Sequence, residues 1–142
     1  YAMRAYQRWG SGAVDMIVNA SCTLYNTLPG GTFKRTFLSA VFWRNVKAEE
    51  IKKYGADNAS SVSVMIFSDQ LHDYVSPEDF SGEGWTADTS NDTYIVKGEC
   101  NIEVTDDSSV LYDNCREVYK VSSAVENLYG SPELWHIQIE GK

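Results

Sequence analysis

Val14 to Val46 reads VDMIVNASCTLYNTLPGGTFKRTFLSAVFWRNV. Val14, Met16, Val18, Ala20, Cys22 and Leu24 alternate with Asp15, Asn19, Ser21 and Thr23, and only Ile17 is out of phase. A period of two predicts one long strand with a buried face. Thr27-Leu28-Pro29-Gly30-Gly31 then supplies turn chemistry, because proline fixes φ and glycine tolerates positive φ. Thr32 to Val46, rich in Phe, Val and Trp, reads as a second strand, so the stretch predicts a β-hairpin.

Working outward, Lys47 to Gly55 places Glu49 and Glu50 ahead of Lys52 and Lys53, with Gly55 where a cap would stand. One or two helical turns are expected there, then a loop over 57–60. Ser61 to Ser68 predicts a strand with Val62, Val64 and Ile66 on one face. Residues 69–91 form the main loop, acidic and turn-rich, with Tyr74, Phe80 and Trp85 as candidate tethers to the body. Asp92 to Gly98 predicts a strand that runs on through Cys100, Ile102 and Val104. A short turn or helix over 108–117 and a strand over 118–125 follow. A turn over 127–132 then leads to a last strand, 133–140, with Trp135, Ile137 and Ile139 inward. Some six strands without a repeated αβ unit predict a mainly β fold. The expected form is a small antiparallel β-barrel or sandwich with long loops and one or two short helical turns. Residues 1–13 read as a separate N-terminal arm and 14–142 as a single β-domain.

The 142 residues suit one domain, and the 13 % aromatic content agrees with strands. Charge is unevenly spread. Residues 1–57 hold eight Lys/Arg against four acids, a net of +4; residues 58–142 hold four against sixteen, a net of −12. That polarity suits head-to-tail association, although a solvated acidic surface would look the same. The acidic excess argues against tight binding of duplex nucleic acid. The opening Tyr1 to Tyr6 lacks the apolar core of a signal peptide, and no apolar run is long enough to span a membrane. A start without methionine is expected of a longer or tagged product.

No chemistry stands out. Cys22, Cys100 and Cys115 are odd in number and contain no C-x-x-C pair, so neither a disulfide framework nor a zinc site is signalled. A reducing cytoplasm during synthesis is the simpler expectation. His72 lies near Asp69 and Asp73 but matches no calcium loop, and His136 falls on the polar phase of the last strand. Phosphate-binding glycine loops and a nucleophile elbow are both missing. No catalytic residue, cofactor or metal site is expected. Trp43 and Trp135 share phases with core residues, whereas Trp9 and Trp85 read as the exposed aromatics. A carbohydrate- or receptor-binding module would use such rings.

Four pieces carry a family resemblance: Thr23-Leu24-Tyr25-Asn26, the 33–45 strand with Val41-Phe42-Trp43, Tyr94-Ile95-Val96-Lys97-Gly98, and Gly130-Ser131 through Leu134-Trp135-His136 to Gly141-Lys142. Over about residues 20–142 the chain resembles the small head-to-tail connection proteins of siphophages that infect Gram-positive bacteria. The likeness is greatest to their stopper or head-closure members; tail-terminator and minor-capsid roles are the neighbouring alternatives. The resemblance implies a virion protein made in the host cytoplasm, assembling as a ring with copies of itself between portal or adaptor and tail. It also implies closure of a channel that holds DNA without binding it tightly. On that reading Trp9, Lys34, Arg35, Lys52 and Lys53 are interface candidates. Asp69, Asp73, Glu78, Asp79 and Trp85 are loop candidates facing the channel.

Overall fold

The hairpin expected over 14–46 forms with one interruption. In the computed structural model, which describes residues 3–6, 15–45, 62–89, 92–105 and 107–142, the first strand is divided at Asn19. The Asn19 side-chain amide donates to the Trp43 carbonyl at 2.8 Å, and the Trp43 N–H donates to Asn19 Oδ1 at 2.7 Å. A side chain thus stands in for backbone in the ladder, and the chain changes partners there. Before it, β1 (Met3–Tyr6) pairs antiparallel with β2 (Asp15–Val18) as a separate two-stranded sheet. Part of the expected arm is therefore a paired strand. The 47–55 helical turns and the 57–60 loop lie outside the described residues.

After Asn19 come β3 (Ala20–Thr27), β4 (Phe33–Asn45), β5 (Val62–Phe67), β6 (Thr93–Lys97), β7 (Val118–Asn127) and β8 (His136–Gly141). They close an antiparallel barrel in the order β3-β4-β5-β8-β7-β6, so of the two expected architectures the barrel is the one formed. Ala20 faces Val41 but Cys22 faces Leu38, so β4 carries an extra residue. The bulge reverses the phase of β4, which is how Leu38, Val41 and Trp43 all reach the interior. Val62, Val64 and Ile66 meet Ile137 and Ile139 there, all fully buried. Each such side chain contributes about 1.5–3 kcal/mol relative to exposure.

β3 differs from expectation in being buried on both faces. Cys22 and Leu24 belong to the interior, while Tyr25 belongs to a second cluster with Tyr94, Val96, Val104 and Leu111. The cover is a flap, described over 98–105 and 107–117, containing the short helix α1 (Ser109–Asn114). The expected run of strand through Cys100, Ile102 and Val104 does not form. Gly98, at φ +87°, turns the chain instead. The Thr23 hydroxyl then donates to the Gly98 carbonyl at 2.8 Å and accepts the Cys100 N–H at 2.9 Å. Buried Cys100 and Val104 thus come from a strap across the outside of the barrel.

The last strand begins later than expected. Pro132–Leu134 is a single 3-10 turn, and Trp135 is half-buried with its indole N–H on the Gly130 carbonyl at 3.2 Å. Trp135 is therefore a turn clasp, and the core contribution of this segment comes from Ile137 and Ile139.

Candidate functional site at the barrel mouth

β5 and β6 are not neighbours in the barrel, so the connection between them has to cross one open end. The described residues of this connection, 68–89 and 92, do this beside the β3–β4 and β7–β8 turns, which lie at the same end. The loop is anchored from inside. Trp85 is 1 % exposed and joins the interior cluster with Ala87. The ring of Tyr74 meets Trp85 edge-on at 4.9 Å, and the Tyr74 hydroxyl bonds the Glu126 carboxylate of β7. Tyr74 and Trp85 tether the loop as expected, but Trp85 is not an exposed aromatic. The correction follows from its backbone. The Val75 N–H donates to the Trp85 carbonyl at 2.9 Å and the Trp85 N–H to the Asp73 carbonyl at 3.0 Å, which ties Trp85 beside Tyr74.

Gly84 makes that approach possible. It has φ +73°, and a Cβ there would lie 2.2 Å from the Asp73 carbonyl oxygen. Asn26, fully buried at the end of β3, holds the loop from below by bonding both backbone groups of Thr86. A cleft of about 270 Å³ opens above this floor, between Leu28 and Pro29 on one side and Pro77 and Phe80 on the other.

With the loop so fixed, its acids take defined positions. Asp73, Glu78 and Asp79 are exposed, and Asp69 is half-buried in the turn after β5. Asp73 pairs with exposed His72 at 3.3 Å. Asp69 does not join them in a metal-binding group, and no such group occurs among the described residues. His136 points a ring nitrogen at the Leu134 carbonyl, 3.2 Å away. At the same end, the β7–β8 turn presents Tyr129, 74 % exposed, and Leu134, 57 % exposed. Neither was singled out by the sequence; the only signal was an aromatic ahead of Gly130-Ser131-Pro132.

Lys34 and Arg35 open β4 and face Asn26 and Tyr25 of β3. They line a cleft of about 490 Å³ with Glu103 of the flap and Gly82 of the loop. These two basic candidates and the acidic loop thus share one end of the barrel. Trp9, Lys52 and Lys53 lie outside the described residues.

A family model described as a family of unknown function, DUF6751, matches residues 17–142. The chain belongs to this family. The DUF6751 stretch takes in the whole barrel, the mouth loop and the flap. Neither the curated proteins nor the solved structures give a match to the chain.

Proposed function

We propose that this protein is a non-catalytic structural subunit of a siphophage neck, forming a ring with its own copies and helping to close the DNA channel. The observation that carries this reading is the mouth rim. Exposed Tyr129 and Leu134 lie at the same end of the barrel as the exposed carboxylates of Asp73, Glu78 and Asp79, on a loop held by buried Trp85 and bonded to the β7–β8 turn through Ser68 and to β7 through Tyr74. Apolar side chains exposed beside fixed charge suit a docking surface. The barrel interior is occupied by side chains, which fits a protein that works through its surface. The sequence resemblance supplies the setting.

In this reading the loop acids face the channel and repel the phosphate backbone, so that DNA passes without sticking. Lys34 and Arg35 contact an acidic patch on the adjacent subunit, as a heterologous ring interface requires. A carbohydrate-binding module is the weaker alternative, because its leading ring, Trp85, is buried.

The test is copy number in purified virions, by calibrated mass spectrometry against the major capsid protein. A closed ring predicts about six or twelve copies per particle. Hundreds of copies would make it a tube or decoration protein, and absence from particles would end the virion reading. Lys34→Glu combined with Arg35→Glu is expected to block assembly of the ring; normal assembly would remove these two residues from the interface.

A further inference from the structure

We propose that Cys100 and Cys115 are a reversible redox pair whose disulfide staples the flap shut against the outside of β3. The sulfur atoms lie 3.5 Å apart, and both thiols are free. A disulfide needs about 2.05 Å between sulfurs, so oxidation requires these two to approach by about 1.5 Å. Neither cysteine is held in a sheet ladder. Cys100 follows the Gly98 turn, and Cys115 stands in extended backbone immediately after α1.

The pair is also within reach of a reagent. Cys115 is half-buried, and a cleft of about 460 Å³ is lined by both cysteines together with Asn114 and Arg116. The Tyr25 hydroxyl lies 3.2 Å from Cys100 Sγ. Burial pushes the Cys100 thiol up, but hydrogen bonding with Tyr25, the Ile102 backbone and Cys115, together with the charge of Arg35, outweighs it and holds the group below its ordinary value. Cys115 is pushed up to about 11 by burial and by Cys100. One thiol of the couple is thus the readier nucleophile. Cys22 is fully buried in the barrel interior, and burial pushes its thiol far up, so it takes no part.

The oxidant is a small-molecule disulfide such as oxidised glutathione. A thiolate of the pair attacks it, forming a mixed disulfide and releasing one small thiol. The second cysteine loses its proton, attacks the protein sulfur of the mixed disulfide and expels the other small thiol. Two protein S–H bonds and one small-molecule S–S bond are exchanged for one protein S–S bond and two small thiols. Closing the 100–115 loop restricts the unfolded chain, so a rise in Tm of about 5–10 °C is expected. This inference rests on the flap alone and is independent of the proposed virion role.

The test treats the purified chain with oxidised glutathione, alkylates remaining thiols, and reads intact mass and linked peptides. The expected result is loss of two hydrogens, a single Cys100–Cys115 cross-link, Cys22 alkylated only after unfolding, and a higher Tm that dithiothreitol reverses. In the Cys115→Ser variant the cross-link and the Tm rise should both vanish. A lasting glutathione adduct on the natural chain, a link involving Cys22, or two unlinked thiols after oxidation would each overturn the proposal. The natural chain's mass decides the matter even where a serine variant folds poorly.

Discussion

Asn26 and Thr86 are joined by two hydrogen bonds through a single side chain. Asn26 Nδ2 donates to the Thr86 carbonyl at 2.7 Å, and the Thr86 N–H donates to Asn26 Oδ1 at 3.2 Å. An amide side chain at the end of a strand thus pairs with loop backbone as another strand would. Both residues are buried, so water cannot replace either bond.

Asn26→Leu is therefore expected to destabilise the fold by roughly 2–5 kcal/mol, since it strands two buried backbone groups as well as losing the bonds. Asn26→Asp should also destabilise, because its second oxygen would face the Thr86 carbonyl and its charge would be buried. Urea denaturation midpoints check both. An unchanged midpoint for Asn26→Leu would show that the clamp does not hold the loop.

Gly84→Ala and Gly30→Ala separate a steric requirement from a conformational one. Both glycines have positive φ, +73° and +97°, but only at Gly84 would the new methyl meet backbone. Gly30→Ala should cost about 1 kcal/mol and Gly84→Ala about 2–4 kcal/mol. In a chain whose other tryptophans are replaced by phenylalanine, Gly84→Ala should also shift Trp85 emission to the red as the ring loses its pocket. Equal effects of the two substitutions would mean that the loop yields without disturbing Trp85.

Stability should decline in alkali. Burial raises the hydroxyl pKa of Tyr25, with Cys100 adding to it, and burial followed by Glu126 raises that of Tyr74, both above the ordinary value of 10.0. A raised folded pKa means that the folded state holds its proton longer. The stabilisation is complete below about pH 10 and is lost as pH climbs from there toward the folded values. Melting temperature between pH 8 and pH 12, as a rough span around the unfolded tyrosine value, checks this. Tyr25→Phe should flatten part of the decline. An identical slope in that variant would assign the alkaline loss elsewhere.

Tyr25→Phe should also loosen the flap at neutral pH. The hydroxyl donates to the Ile102 carbonyl at 2.6 Å, and losing that bond is expected to cost about 1–2 kcal/mol. Amide exchange over 98–117 should accelerate while β5 and β8 remain protected. Uniform acceleration across the barrel would instead mean that flap and barrel open together.

Most strands of the barrel and the hairpin turn are legible in the local pattern of the chain. Alternation at Cys22 and Leu24, at Val62, Val64 and Ile66, and at Ile137 and Ile139 is a local property, because successive side chains in a strand point to opposite faces. Proline and glycine at 29–31 mark the hairpin turn for an equally local reason. Tertiary structure decided what lies against the other face. Tyr25 and Thr23 stand on the polar phase of β3 yet are buried, because a flap more than seventy residues away in sequence bonds to them. Trp85 sits in a turn-rich acidic segment, which reads as exposed, but the barrel order sends that segment across an open end that a large ring can fill. Cys100 and Cys115 match no motif spacing, and only the fold of the flap brings their sulfurs together. Periodicity records the preference of each residue for a buried or open face; which segment closes that face depends on contacts between distant parts of the chain.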